Sequence, residues 1–497
     1  MSTSTAFNGR GACESLVASG PAPGPHAVRT TFARALGPVE AGCIVIGTVI
    51  GAGIFVAPGI VAQTAGRFGF GAVLLVWLLG GLLSLAGAAA CAELSSMFPR
   101  AGGQYVFLRE AYGPLWGFLF GWMEFWVARA GSIAVLALLF AQYAGHFTRQ
   151  DGEWGVRWTA FIMILTVTGV NYAGVRTSGA VQVLFTALKV AALGALAACA
   201  FGLPDGSPRN WTPFWNPGAV APAGGLLGSV MAAMVPVMWA YYGWAKGAAV
   251  SEEMKAPTRD VPRALVLGVL TVSGIYVAVN LAYHFVLPMR AVAGSSRVAS
   301  DVAGILFGPV GEGLAAAAVM IAAFGSANGM LLTGPRVFYA MARDGLFFPE
   351  MGELHPRSRT PYLAVLFQGL WAALLVLVPF SGILNRHFGW SLTLPLHAQL
   401  LAMVVFPTWA FAGLTVAGLF VLRRKRPALA RPYRAWGYPW LPALFVLTCA
   451  GLVAGVLWTG PAEALAGLGV VLLGLPAYWW WSQKRKGETR GNSAEGC

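Results

Sequence analysis

Charge is scarce in this chain: only 10% of its 497 residues are Asp, Glu, Lys or Arg, against roughly 25% in ordinary soluble domains. A water-facing exterior for a soluble protein of this length cannot be made from so few. None of the six cysteines (Cys13, Cys43, Cys91, Cys199, Cys449, Cys497) stands in a C-x-x-C pair, so neither a zinc site nor a disulfide framework is indicated. The H-E-x-x-H and G-x-x-x-x-G-K-[ST] patterns are missing and the six histidines are scattered, which leaves metal-assisted hydrolysis and nucleotide hydrolysis without support. With no cluster of polar catalytic residues, the chain reads as something other than an enzyme, with no cofactor and no metal. Residues 1–37 lack a compact apolar run followed by a cleavage site. Their Ser, Thr, Ala, Gly and Pro predict a disordered cytoplasmic tail instead of a signal peptide.

What the chain does have is apolar bulk, 57% of residues, with 64 Gly, 30 Pro and 19 Trp. Gly and Pro are commoner in membrane helices than in soluble ones, and Trp favours the interface. A hydrocarbon core about 30 Å thick takes about 20 apolar residues per helix. Twelve such runs lie near 38–62, 70–97, 114–144, 158–175, 179–203, 227–250, 263–287, 310–342, 361–380, 399–422, 436–458 and 462–482. The predicted class is therefore an all-α polytopic membrane protein embedded in a lipid bilayer. With the amino terminus inside, 23 of the 33 basic residues fall on the cytoplasmic side and seven on the other. The positive-inside rule then puts both termini in the cytoplasm. The net charge of +14 reports topology, not a nucleic-acid partner. A Tyr478-Trp479-Trp480-Trp481 cluster before Lys484 predicts an interfacial belt closing the last span.

Two spans carry residues that point either to close helix packing or to an interruption of the helix. The first runs Gly47-Thr48-Val49-Ile50-Gly51-Ala52-Gly53-Ile54-Phe55-Val56-Ala57-Pro58-Gly59, and each interior Gly costs about 1 kcal/mol relative to Ala. The sixth carries Trp239-Ala240-Tyr241-Tyr242-Gly243-Trp244-Ala245-Lys246-Gly247 one turn after Pro236. If spans one to five and six to ten form two inverted halves, these interruptions correspond, which is the best sequence pointer to a transporter's substrate site. Main-chain groups freed in hydrocarbon must face protein, water or a ligand. A half-helix amino terminus offers N–H donors and a positive dipole end to a carboxylate; exposed carbonyls accept from an ammonium. An α-amino acid carries both groups.

Charges inside spans are few. Lys189 lies about 15 Å into the fifth span at 1.5 Å per residue, too deep to snorkel, and predicts a cation holding the broken first helix against the eighth. Glu124 and Arg129 are five apart in the third span, about 140° around an α-helix, and so are expected to have other partners. Glu93, Glu252 and Glu253 sit at cytoplasmic span ends among arginines, where solvated positions and gate salt bridges are equally consistent. Lys246, near the inner end of its span, is expected either to snorkel or to meet substrate or an inner gate.

With Gly51-Ala52-Gly53-Ile54-Phe55 and the interrupted sixth span in view, the chain resembles the amino acid, polyamine and organocation transporter superfamily. It is most similar there to L-type amino-acid transporters, the light chains of heteromeric exchangers. Pro99-Arg100-Ala101-Gly102-Gly103-Gln104-Tyr105, Glu252-Glu253-Met254 with Pro257 and Pro262, and Phe324-Gly325-Ser326-Ala327-Asn328-Gly329 add to the likeness. The resemblance implies a LeuT-like fold: a tail at 1–37, a first inverted repeat at 38–203, a second at 204–424, accessory helices at 425–482 and a cytoplasmic tail at 483–497. It implies alternating access and a substrate site at Thr48, Val49, Gly51, Ala52, Gly53, Trp239, Ala240, Tyr241, Tyr242 and Gly243. There the carboxylate would meet the N–H groups of Ala52 and Gly53, and the amino group the carbonyls of Val49, Trp239 and Tyr242. It further implies that Lys189 stands where sodium sits in sodium-coupled relatives, bridging the Gly51 carbonyl and the Ser326 hydroxyl, and that Trp239 is the aromatic gate. Sequence departures are Ala52, which has no hydroxyl, Tyr242 in place of a smaller residue, and Ala245 and Lys246 in place of an Asn and an apolar or aromatic residue. The connection from Gly145 to Arg157 has no Cys, so no disulfide-linked heavy chain is expected. The implied activity is sodium-independent exchange or facilitated passage of neutral L-amino acids, in a bacterial-type inner membrane; the alternative is a proton-coupled amino-acid or polyamine symporter.

Overall fold

A computed structural model describes residues 31–149, 152–216, 218–219, 225–378, 396–459 and 461–494. Among them the secondary structure is helical apart from one isolated bridge between Leu36 and Met254. Nine helices among the described residues are long and apolar enough to cross a bilayer, ten when a bent pair at the amino-terminal end counts as one span. The predicted runs near 158–175 and 361–380 are the two that fall short. They correspond to α7 (Glu153–Tyr172), which opens with Glu153 and Arg157, and α14 (Tyr362–Leu377), which has 16 residues. Residues 379–395, including part of the ninth predicted run, lie outside the described residues, as do 1–30.

The bent pair is α1 (Pro38–Val49) and α2 (Gly53–Ala65), with a 42° bend measured across the break. The second span, α3 (Phe70–Met97), is largely enclosed and is lined with small residues. A Cβ on Gly87 would lie 2.7 Å from the Trp244 ring, and one on Gly81 2.7 Å from the Ser273 hydroxyl. Glycine thus lets α3 approach both the sixth span and α10 (Pro257–Val286). The sixth span is itself divided into α9 (Gly225–Tyr241) and a 3-10 helix, Trp244–Glu253. The fifth is α8 (Val175–Gly202) and the eighth α13 (Pro309–Arg343). Leucines on the outer faces of these helices are exposed, among them Leu227, Leu267, Leu314 and Leu473, as a lipid-facing surface requires. In the Trp belt, Trp479 and Trp480 are exposed while Trp481 turns inward against Phe347 and Phe348.

The third span shows why charges five apart can meet. Between α5 (Pro114–Met123) and α6 (Ala130–Thr148) the chain winds as a π-helix over Glu124–Arg129. An i→i+5 turn brings the two ends onto one face, so Arg129 Nη2 lies 2.6 Å from Glu124 Oε2, contrary to the expectation of separate partners. Arg129 also donates to Thr333 Oγ1 at 2.7 Å, tying this turn to α13. At the span ends, Glu253 pairs bidentately with Arg336, both buried. Glu93 accepts from Arg423 and from the Ala435 N–H. Ahead of α1, Leu36 N donates to Glu253 O at 3.0 Å and Leu36 O accepts from Lys255 N at 3.0 Å.

Candidate substrate site

The first break is a tight reversal. Ile50 has φ −70° and ψ 84° and Gly51 N donates to Val49 O at 2.7 Å, the pattern of an inverse γ-turn. Helix α2 then restarts behind Ala52, which offers no capping side chain, so its first N–H groups are left to whatever occupies the space in front of them. The turn also aims two carbonyls backward. Lys189, 1% exposed, reaches from α8 and donates to Gly47 O at 2.7 Å, Ile50 O at 2.8 Å and Ser326 Oγ at 2.9 Å. All three ammonium hydrogens have an oxygen. The carbonyl partners are Gly47 and Ile50, not Gly51, because the γ-turn directs the Ile50 oxygen toward α8. Gln182 and Thr186 of α8 add bonds to Cys43 O, and Asn328 bonds Gln182; neither glutamine nor threonine stood out in the sequence.

The second break is made differently. Tyr242 and Gly243 form the turn, with Tyr242 N donating to Trp239 O at 3.1 Å. Gly243 has φ +141°, and a Cβ there would lie 2.9 Å from Thr48 O; the left-handed backbone and the close approach both require glycine. Thr48 Oγ1 lies 3.3 Å from Gly243 O. Tyr276 of α10 joins the two breaks, its hydroxyl lying 3.1 Å from both Val49 O and Ala240 O. At Gly53, a Cβ would be 2.5 Å from Ala240 Cα, so the start of α2 rests directly on the end of α9.

Between the breaks is a cavity with about 50 Å³ of room for water-sized spheres. Its wall includes eight of the predicted residues: Thr48, Val49, Gly51, Ala52, Gly53, Trp239, Ala240 and Tyr242. Tyr241 and Gly243 do not line it. One residue further round α9 than Ala240, Tyr241 turns its ring onto Tyr276 and its hydroxyl to Trp77 O, while Gly243 faces Thr48. Lys189 and Ser326 lie behind the first break. The remaining wall comes from Ser132 and Leu136 of α6, Met330 of α13, and Val404, Thr408 and Trp409 of the helix Leu396–Lys425. Nothing local in the sequence marks these last residues. Lys246 also lines the cavity, with its ammonium 5.1 Å from the Tyr242 ring centroid, so it does not snorkel.

A profile of the family described as amino acid permease matches residues 36–472. The chain belongs to that family. It is 30% identical over 466 residues to the serine/threonine exchanger SteT of Bacillus subtilis (strain 168), covering 93% of this chain and 99% of that protein. It is 32% identical over 470 residues to the mouse large neutral amino acids transporter small subunit 2 (91% and 82% covered). It is 28% identical over 467 residues to the human b(0,+)-type amino acid transporter 1 (92% and 91%). This permease is thus an integral membrane amino-acid transporter of LeuT-like polytopic fold, and not an enzyme.

Proposed function

We propose that this permease exchanges small neutral L-amino acids across the membrane without sodium, by alternating access of a site between the two breaks. The substrate carboxylate takes the Ala52 and Gly53 N–H groups, where the uncapped start of α2 supplies donors and the positive end of its dipole. The ammonium takes the Trp239 and Tyr242 carbonyls. The Val49 carbonyl is less suited to it, since it already accepts from Gly51 N and the Tyr276 hydroxyl. Trp239 is the ring that closes over the bound solute, and the small cavity, narrowed by Tyr242, favours short side chains. The two five-helix halves, 38–203 and 204–424, are the inverted repeats that move against each other, with 425–482 as accessory helices.

The observation that carries sodium independence is Lys189. Its ammonium is held by Gly47 O, Ile50 O and Ser326 Oγ, the resemblance puts this lysine where sodium sits in coupled relatives, and a fixed cation there excludes a second one. The basic residues crowded on one side support cytoplasmic termini in a cell membrane, and a Gly145–Arg157 connection without Cys supports a carrier that works without a disulfide-linked heavy chain. Purified full-length protein in liposomes preloaded with serine is expected to take up labelled serine equally with and without external sodium and with no imposed pH gradient. Uptake that requires sodium would overturn the sodium-independent reading, and uptake that requires a proton gradient but no preloaded amino acid would establish the symporter instead.

A further inference from the structure

The cavity holds one ionic side chain among its described wall residues, Lys246, and its situation is unlike that of Lys189. It is 5% exposed, yet its ammonium has no hydrogen bond or ion pair within the described residues, only the face of Tyr242 at 5.1 Å. The charged groups that act on it, Arg129 and Glu124, are already bonded to each other, Arg129 reaching the carboxylate through Nε at 2.7 Å and Nη2 at 2.6 Å. Glu124 is thereby engaged within the protein, and Lys246 is left on the cavity wall with no carboxylate bonded to it among the described residues. Thr408 on the same wall has a buried hydroxyl with no hydrogen-bond partner. The ring of Trp409, its neighbour in sequence, packs edge-on to the Tyr242 ring at 5.4 Å, and Lys246 sits over that same tyrosine. Two donors on the wall of one cavity are thus without a hydrogen-bond partner among the described residues. A buried charge and a buried hydroxyl are both costly when unpaired, and a zwitterionic substrate held by its main chain at the breaks brings no compensating charge to them.

We propose that Lys246 and Thr408 form a subsite for an anionic substrate side chain. The permease then takes amino acids with a short side-chain carboxylate as well as neutral ones, and refuses cationic ones. This rests on the reading that the main chain of an amino acid binds between the two breaks; it adds what the far wall reads. Lys246 is near enough to the second break for one solute to reach both, because the 3-10 winding begins at Trp244 and carries residue 246 back over Tyr242. An ammonium in the same place would meet Lys246 as a like charge at low effective dielectric.

The test is exchange in liposomes holding purified full-length protein and internal serine, with labelled serine, aspartate and ornithine supplied outside in turn. Wild type is expected to exchange serine and aspartate and not ornithine. Lys246→Gln should lower the aspartate-to-serine ratio about thirtyfold or more, the usual consequence of removing one partner from a buried charge pair. Thr408→Val should lower it a further few-fold, the loss of one hydrogen bond to a charged group. Lys246→Glu should bring in ornithine and lose aspartate. Failure of wild type to exchange aspartate while exchanging serine would overturn the subsite, whether or not any variant folds, and so would an unchanged ratio in a monodisperse Lys246→Gln protein. Failure to exchange any of the three would instead overturn amino-acid binding at the breaks.

Discussion

The two breaks at mid-membrane are built by opposite means. At the first, the main chain turns in three residues and is held from behind by side chains: Lys189 with three oxygens, Ser326, and the Tyr276 hydroxyl. At the second, the turn is set by the main chain through Gly243 and a 3-10 stretch kinked at Val250, with the Thr48 and Tyr276 hydroxyls beside the Gly243 and Ala240 carbonyls. The lysine nearby has no hydrogen-bond or ion-pair partner among the described residues. The contrast separates two uses of a buried cation. Lys189 satisfies every donor within the protein and is a fastener; Lys246 satisfies none among the described residues and lines the cavity. Charge that is paired internally holds the fold, and charge left open belongs to the solute.

The sharpest way to break this comparison is Lys189→Ala. It leaves one of the Gly47 and Ile50 carbonyls without a donor, since the single Ser326 hydroxyl hydrogen serves the other, at about 1–3 kcal/mol. It also unties α1 from α8, so exchange is expected to fall by about a hundredfold in liposomes. Wild-type turnover would mean that the first break holds itself as the second does. Next comes one substitution made at both breaks. Gly243→Ala meets a backbone at φ +141° and the Thr48 carbonyl at 2.9 Å, a strain of about 1–3 kcal/mol, and should cost roughly tenfold or more in exchange rate. Gly51→Ala meets the Ser326 hydroxyl at 3.3 Å with no positive φ and should cost clearly less. Equal losses would erase the distinction.

Tyr276→Phe removes the link between the breaks while keeping the ring against Trp77 and Tyr241. At about 0.5–1.5 kcal/mol per hydrogen bond, a few-fold to tenfold loss in exchange is expected, with little change in melting temperature. The smallest effect belongs to a control away from both breaks. In α4 (Gln104–Tyr112), Glu110 is pulled up by burial, but hydrogen bonds from Arg426 and Arg109 outweigh this and hold its carboxyl below its ordinary range. A carboxyl lowered on folding stabilises the protein above its unfolded value, near pH 4.3, and that contribution is lost as pH falls through the folded value. Glu110→Gln should cost no more than about 1 kcal/mol, seen as a small drop in detergent melting temperature at pH 7 that narrows as the pH approaches 4.

Both breaks were legible because glycine crowding and a nearby proline are costs a membrane helix does not carry without cause. The depth of Lys189 was legible by counting residues. Other features were not. Nothing in Glu124-Phe125-Trp126-Val127-Ala128-Arg129 announces π winding, and with α spacing the two charges point apart. Lys246 looked like a residue near a span end until the second break changed the winding and turned it inward. Tyr241 looked like site lining because its neighbours are, yet one residue of helical rotation sends it into α3. Thr408 and Trp409 join the cavity from about 160 residues beyond Lys246, a proximity only the folded chain creates. The choice of Ile50 over Gly51 as a partner of Lys189 depends on one γ-turn, a detail of ψ that composition does not reveal.

The strand-like bridge ahead of α1 bears on how such a carrier rocks. Through Leu36, the lead-in to α1 is bonded by its main chain to Glu253 and Lys255 at the carboxyl-terminal end of the sixth span. Two reciprocal amide bonds, buried beside the Glu253–Arg336 pair, make these half-helices a yoke. Under the proposed alternating access, opening at this end of the two spans would move them together or require the yoke to be undone first, so its strength would set a threshold for that movement.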